Sequence, residues 1–498
     1  MNPVLLSNAA SPLKSLLFST SSYQPYTYSV RSNAPNTTQT RVKVNSSIPV
    51  NGTSAFGQTV SFTVPRYGLW QSATMKIKIK VHRSDVAQRF SNWLSCFLAS
   101  AYTLSSHNKL ICQLDSENIL HEATYGVSAN ERKSNGLILM EEANWALYKG
   151  SSASNTESRI VTCLVPLPWT FMANTGSYLD TSFCEQLTVG MKLCSAPGDL
   201  LLGSTDTSPG WEFDSAQLIC DFVALEDSQR RAVQAANYSM TKPLTLLTTS
   251  YFREASHSFV IKANAEGGGE QSLDIRCNAL TEATYWRIIE TTNDTANSDV
   301  HVYNKGRALP PAWTDYSSTQ RNVPLDGTNV IGPSGEALGD VATTALKPNG
   351  DPAANVKHNY YGWESYQIHA SGVTICEVEK DEILLGWGGR GSRAISAMTN
   401  NSASSALAVV SESEQYLGST DGFQTASWAS DAKKAGGAYD SGSMSYRMLV
   451  NPQLTVKMGA ATKTATHDRT FSLQCFHRCL NLTSVSSSDG RISQSVSI

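Results

Sequence analysis

No aspartate or glutamate occurs before Asp85, yet that stretch holds nine lysines and arginines: Lys14, Arg31, Arg41, Lys43, Arg66, Lys76, Lys78, Lys80 and Arg83. It reads as a basic strand face plus a loose arm, or as an arm facing an anionic neighbour such as a genome or lipid headgroups. Charge is scarce throughout: Asp, Glu, Lys and Arg make up 16% of the 498 residues, against about 25% in ordinary globular chains. Ser, Thr and Asn fill the gap, which favours β-structure with large buried contacts over a free-standing helical enzyme. The net charge of −3 is nearly neutral, so no bulk affinity for nucleic acid follows from it.

Long apolar runs are missing as well. No stretch of about 18 apolar residues exists, so no membrane-spanning helix is expected. Residues 1–20 make a poor export signal, because they lack a basic start and Lys14 interrupts the apolar part. The sequons at Asn36, Asn45, Asn51, Asn237, Asn293, Asn400 and Asn481 are therefore expected to stay unmodified.

Catalytic signatures are equally thin. There is no G-x-S-x-G and no Gly-Lys dipeptide for a phosphate loop. "GWGGRG" (386–391) satisfies G-x-G-x-x-G, but no βαβ alternation surrounds it, so it reads as a glycine turn. "HEATYG" (121–126) lacks the second His of a metalloprotease helix, and "HDR" (467–469) reads as a solvated loop. "CFHRC" places Cys475, His477 and Cys479 on one face of a strand, with no second ligand pair at zinc spacing. We assign no catalytic, metal-binding or cofactor-binding residue and expect no cofactor. The aromatics are scattered, which suits core packing better than a base-stacking platform. The ten cysteines lie mostly inside apolar runs such as "LICQL" and "VTCLV", and read as buried thiols made in a reducing compartment.

What the chain does have is period-two alternation. In "TMKIKIKV" (74–81), Met75, Ile77, Ile79 and Val81 alternate with Lys76, Lys78 and Lys80. That pattern predicts a strand with one buried and one wet face. Further strands are predicted at 58–64, 109–114, 159–164, 187–193, 216–225, 258–263, 272–277, 285–290, 366–368, 373–378, 454–458 and 471–482, with Gly, Pro, Asn and Ser between them. Short helices are predicted over 86–94, from about Glu117, and over 228–237, where Ser228 caps and Pro243 follows. Residues 291–359 hold six of the 18 prolines without periodicity and form a long insertion. A second Ser/Gly/Ala-rich excursion covers about 388–443.

The chain also repeats itself. "ICQLDSENIL" from Ile111 returns as "ICEVEKDEIL" from Ile375, 264 residues on (375 − 111). "SFTV" from Ser61 matches "SFVI" from Ser258, and "LICDFVAL" from Leu218 matches "LQCFHRCL" from Leu473. Cys112 to Cys220 is 108 residues (220 − 112) and Cys376 to Cys475 is 99 (475 − 376). The front parts differ by 67 residues (264 − 197), about the length of the Pro-rich insertion. The economical reading is one β-fold used twice. About 170 residues per copy exceeds an immunoglobulin-type sandwich and fits an eight-stranded jelly roll.

With those residues in view, the chain resembles the double jelly-roll, hexon-like major capsid proteins of tailless icosahedral double-stranded DNA viruses. "VPLPWTFMANTGSYLDTSFCEQLTVGMKL" (165–193) carries most of the likeness, with Pro166, Leu167, Pro168, Trp169 and Phe171 matching the family's Pro-Leu-Pro-aromatic stretch. "FGQTVSFTVPRYGLWQSATMKIKIK" is similar to the opening strands, and "MLVNPQLTVKM" to a late part of the second roll. The ending "LNLTSVSSSDGRISQSVSI" looks nearest to the Polinton-like and adintovirus-like branch. The resemblance covers residues 56–498, except that 388–443 matches nothing in the family.

The fold expected is all-β: two tandem eight-stranded antiparallel jelly rolls, with long loop insertions and a few short helices. The division expected is an extended arm (1–57), jelly roll 1 (58–227), a helical connector (228–250), jelly roll 2 (251–485, insertion about 291–358) and a C-terminal tail (486–498). The resemblance implies a structural, non-enzymatic virion protein, assembled inside the host cell. It implies homotrimers forming pseudo-hexagonal capsomers of an icosahedral shell, with the insertion as an outer tower. Neighbouring capsomers, penton and minor capsid proteins are the implied partners, and the basic arm would face genome or an internal membrane. On that reading, deleting residues 1–44 leaves a folded trimer that closes shells poorly. Rival readings are a single jelly roll with a projecting domain, a secreted tandem β-sandwich that binds glycans, and a β-rich hydrolase.

Overall fold

The computed structural model of the protein describes residues 37–82, 89–90, 93–107, 109–124, 129–140, 159–169, 179–182, 184–202, 211–225, 244–262, 269–290, 363–379, 424–429, 442–458, 469–485 and 492–495. Strands dominate, and every strand pair among these residues is antiparallel.

Alternating residues build the first roll. In the strand Leu69–Val81, Met75, Ile77, Ile79 and Val81 are buried while the lysines between them are half-exposed. One sheet runs Thr37–Asn45, Trp211–Leu225, Leu69–Val81, Arg159–Pro166. The facing sheet runs Thr59–Thr63, Leu187–Leu193, Ala99–Ser106, Lys109–Asp115. Val60 and Phe62 of the second sheet and Met75 and Ile77 of the first join one core between them. "PLPW" closes that core. Leu167 donates its N–H to the Ala73 carbonyl at 3.0 Å, and Trp169 is buried with its ring 6.0 Å from that of Trp70. Prolines on either side of Leu167 suit this strand exit, since neither has an N–H to leave unmatched.

The second roll repeats the order. One sheet runs Leu244–Arg253, Arg469–Val485, Leu280–Glu290, Gln424–Ser427, and the other Glu270–Asp274, Gln453–Met458, Trp363–Ala370, Val373–Glu379. In all four sheets the spatial order along this path is first, last, second, third of the four strands on the path. The repeated phrase keeps even its irregularity. Cys112 pairs with Leu104 and the register then shifts past Ile111; Cys376 pairs with Ile368 and the register shifts past Ile375. A bulge at the same place in both copies is a property of the duplicated element, not of a local accident. Hairpin chemistry is visible at Ser371 and Gly372, where positive φ at both residues (53° and 76°) gives a two-residue turn whose twist matches the strands.

Several expectations are corrected here. Thr37–Asn45 is not arm: it pairs along its full length with Trp211–Leu225, and Val42 and Val44 pack on the first core. The first roll therefore starts well before residue 58. The end of the expected helical connector is the strand Leu244–Arg253, and residues 226–243, with the helix expected at 228–237, lie outside the described residues. The helix expected over 86–94 is displaced: Arg89–Phe90 is a short strand and the helix α1 spans Leu94–Phe97. The helix expected from Glu117 is α2, Ser116–Thr124, followed by α3, Ala129–Leu139. "SFTV" and "SFVI" are not equivalent strands. Thr59–Thr63 corresponds by sheet position to Glu270–Asp274, whereas His257–Ile261 pairs with Arg469–Val485. Residues 492–495, assigned to the tail, form a strand on Leu482–Val485. The insertion at 291–358, "GWGGRG" and His467 and Asp468 of "HDR" lie outside the described residues, as does 388–443 apart from residues 424–429 and 442–443.

Candidate functional site

The densest polar chemistry in the described residues lies where the two rolls meet. The strand Lys109–Asp115 runs directly into α2. Ser116 donates its hydroxyl to the Ala99 carbonyl at 2.7 Å, tying the helix start to the neighbouring strand. Glu117 in the first turn is favourable to the helix dipole. Ile119 and Leu120 enter the first core, so the remaining face, with Glu117, Asn118, His121 and Glu122, is turned to the second roll.

The second roll meets α2 with the outward face of its larger sheet. Period two along Arg469–Val485 sends Gln474, Phe476 and Arg478 one way and Cys475, His477 and Cys479 the other. Three ion pairs cross the seam: Asp115–Arg253 at 3.7 Å, Glu117–Arg287 at 2.8 Å and Glu122–Arg478 at 3.0 Å. All three acids belong to roll 1 and all three arginines to roll 2. Arg287 is fully buried and also donates Nε to Gln474 at 3.1 Å. Arg478 also approaches Glu282 at 3.4 Å. Burial pushes Arg287 down to about 10, partly offset by Glu117. Burial also works against the Arg478 charge, but Glu122, Tyr251 and Glu282 more than offset it and raise it above the ordinary arginine value. Asp115 is raised by burial, with Gln113 and Arg253 pulling against that.

Rings fill the space between the charges. The Tyr285 hydroxyl donates to Asn118 Oδ1, and its ring stacks on His121 at 3.7 Å and on Phe476 at 5.4 Å. Arg253 lies over Phe476 at 5.4 Å. His121 Nε2 is 3.0 Å from Thr425 Oγ1. Tyr285 and Phe476, residues of the second roll, pack into the first roll's core. The middle of the seam is therefore continuous interior, and the Glu117–Arg287 and Glu122–Arg478 pairs act in a poorly screened setting, whereas Arg253 of the third pair is partly exposed.

"CFHRC" occupies the other side of the same strand, and its two cysteines and His477 share the inward face, as alternation requires. His477 Nε2 is 3.2 Å from Glu254 and Nδ1 is 3.0 Å from Thr284 Oγ1. The same Glu254 oxygen accepts the backbone N–H groups of Arg276 and Cys277 at 2.7 and 2.9 Å. Burial alone would lower His477; the Cys475 sulfur and the Glu254 carboxylate more than offset it and lift it to about 10. Cys277 and Cys479 hold their sulfurs 3.5 Å apart, and the shared hydrogen bond lowers Cys277 and raises Cys479. All ten cysteines are buried free thiols. Among the described residues no group of three or more His, Cys, Asp or Glu is arranged to hold a metal ion, and no helix is long and apolar enough to cross a membrane.

Sequence reasoning named no site residues and missed this seam. The available signal was an arginine inside each of two apolar strands, "TYWRII" and "CFHRCL", since a charge in such a run is buried only when paired.

Solved structures share the architecture. The PBCV-1 virus capsid matches with a TM-score of 0.60 at 12% identity, covering 92% of this chain and 97% of that one. PBCV-1 VP54, fitted into a reconstruction of the virophage Sputnik, matches at 0.58 and 11% identity over 93% and 97%. The Faustovirus major capsid protein matches at 0.54 and 7% identity over 94% and 92%. The fold is a double jelly roll. No family model matches the sequence, and no curated protein is similar to it in sequence. Within the double jelly roll the Pro-Leu-Pro-Trp stretch that carried the family likeness has a plain role, as the lid on the first core.

Proposed function

We propose that this chain is a major capsid protein whose copies associate in threes as pseudo-hexagonal capsomers that tile an icosahedral virion shell. One observation carries the reading: two rolls of identical strand order stand side by side, locked through a buried seam. A chain supplying two equivalent wedges gives six from three copies, and repetition of that tile closes a shell. The second unit repeats the first, which favours this reading over a single roll with a projecting domain. The resemblance to viral capsid structures supports it independently. On this reading the protein is non-enzymatic and works by shape and self-association, with neighbouring capsomers, penton and minor capsid proteins as partners. The basic residues ahead of the first strand, Lys14 and Arg31, face the genome or an internal membrane. The likeness of the closing segment to the Polinton-like and adintovirus-like branch belongs to the same proposal. Electron microscopy of the purified protein tests it. Pseudo-hexagonal particles built of three copies are the expected result, and isolated single-chain particles at micromolar concentration would overturn it.

A further inference from the structure

Two cysteines far apart in the chain meet inside the second roll. Cys277 lies in residues 275–279, which cross from the strand Glu270–Asp274 of the smaller sheet to the strand Leu280–Glu290 of the larger one. Cys479 lies in the closing strand Arg469–Val485, opposite Thr281. The two sulfurs are 3.5 Å apart, and Thr281 Oγ1 is 3.6 Å from Cys277 Sγ and 3.8 Å from Cys479 Sγ. A disulfide needs the sulfurs about 1.5 Å closer. The surroundings allow that approach. Cys277 belongs to no strand, and the ladder beside Cys479 is already interrupted at Glu282, where the register shifts.

The neighbours make one sulfur an attacker and the other its partner. The hydrogen bond from Cys479 lowers Cys277, burial opposes that, and the charge on His477 adds to it. The same bond, with burial, raises Cys479. A thiolate beside a thiol is the arrangement that thiol oxidation uses. There is also a way in. An open cleft of about 190 Å³ is lined by Glu254, His257, Ser272, Asp274 and Arg276. Arg276 is the residue before Cys277, and the Glu254 carboxylate accepts the Cys277 N–H at 2.9 Å. A small neutral oxidant in the cleft is therefore one residue along the chain from Cys277.

We propose that Cys277 and Cys479 are a redox pair, closed to a disulfide by a small peroxide that arrives through this cleft. The Cys277 thiolate attacks the peroxide: an S–O bond forms, the O–O bond breaks and hydroxide leaves. The Cys479 sulfur then attacks the Cys277 sulfur. The S–S bond forms, the S–O bond breaks, and the departing hydroxide takes the Cys479 proton and leaves as water. Two electrons pass from the two sulfurs to the peroxide. The closed bond pins the crossing between the sheets to the last strand. It joins residues 202 positions apart and so rings the insertion at 291–358. Long rings restrict the unfolded chain most, so the second roll is harder to unfold once the bond is made. A chain made under reducing conditions carries the pair open, as free thiols. The pair lies within one chain and does not depend on assembly in threes.

Peptide mapping tests this on the full chain. The native protein is treated with hydrogen peroxide, denatured in an alkylating agent and digested without reductant. A peptide pair joined through Cys277 and Cys479 is expected. The thermal midpoint of the oxidised protein is expected to rise by about 5 °C and to return on adding dithiothreitol. In Cys479→Ser the joined peptides and the rise are both expected to vanish, with Cys277 left as its sulfur oxyacids. Ser272→Trp, which narrows the cleft, is expected to slow closure without preventing it. Wild-type protein in which both cysteines are still alkylated after peroxide overturns the redox pair. Joined peptides with an unmoved midpoint overturn its stabilising role, and an unchanged rate in Ser272→Trp overturns the route of entry.

Discussion

Glu117 and Arg287 lie 170 residues apart in sequence and 2.8 Å apart in space, both buried, one on each roll. A buried pair of this kind adds little over a well-packed apolar pair, but removing one member leaves a charge in a dry interior. Its value is register: an acid on α2 and an arginine on the facing sheet match at one offset only.

The first expectation follows directly. Glu117→Gln leaves Arg287 without its carboxylate and is expected to cost about 3–5 kcal/mol in urea unfolding. Glu117→Leu with Arg287→Met is expected to recover most of that loss. A cycle in which the two changes simply add would show that the pair is not coupled.

The second concerns pH. His477 is lifted to about 10 in the fold from an ordinary value of 6.5. A raised histidine contributes stability that is full below about pH 6.5 and is lost as pH rises through about 10. The urea midpoint is therefore expected to fall between pH 7 and 10, and to fall less in His477→Gln. Equal slopes in the two proteins would remove His477 from the account.

The third concerns the core lid. Trp169→Ala empties a buried site beside Trp70 and is expected to cost about 3–5 kcal/mol. Thermal unfolding measures it, and a change under 1 kcal/mol would show that the Pro-Leu-Pro-Trp stretch does not close the core.

The fourth replaces the expectation that deleting residues 1–44 leaves a folded trimer that closes shells poorly. Thr37–Asn45 is a sheet edge, paired through nine residues and tied by Arg41 to Asp221. Deleting residues 1–36 is expected to leave the unfolding midpoint unchanged, and deleting 1–45 to lower it. Equal midpoints would return the strand to the arm.

Much of the fold was legible because burial imposes period two. Leu187–Leu193 and residues 74–81 of Leu69–Val81 show it in their letters, with apolar residues on one face only. Thr37–Asn45 was not legible, since "TTQTRVKVN" is an edge strand with one wet face and only two valines on the other. Ala99–Ser106 escaped for a similar reason, its inward face relying on Tyr102 and Leu104 among small residues. The repeated phrase gave the duplication because a hairpin, its bulge and its packing were copied together. "SFTV" and "SFVI" misled because four residues of alternation fit any strand. The seam was hidden because ion pairs between distant residues leave no local pattern. Only the unexplained arginines in "TYWRII" and "CFHRCL" pointed to it.

Native mass spectrometry of the purified full-length protein is the most direct test of the capsomer reading. A dominant species of three chains is expected at micromolar concentration, persisting as salt is raised to physiological strength. A stable single chain under the same conditions contradicts it.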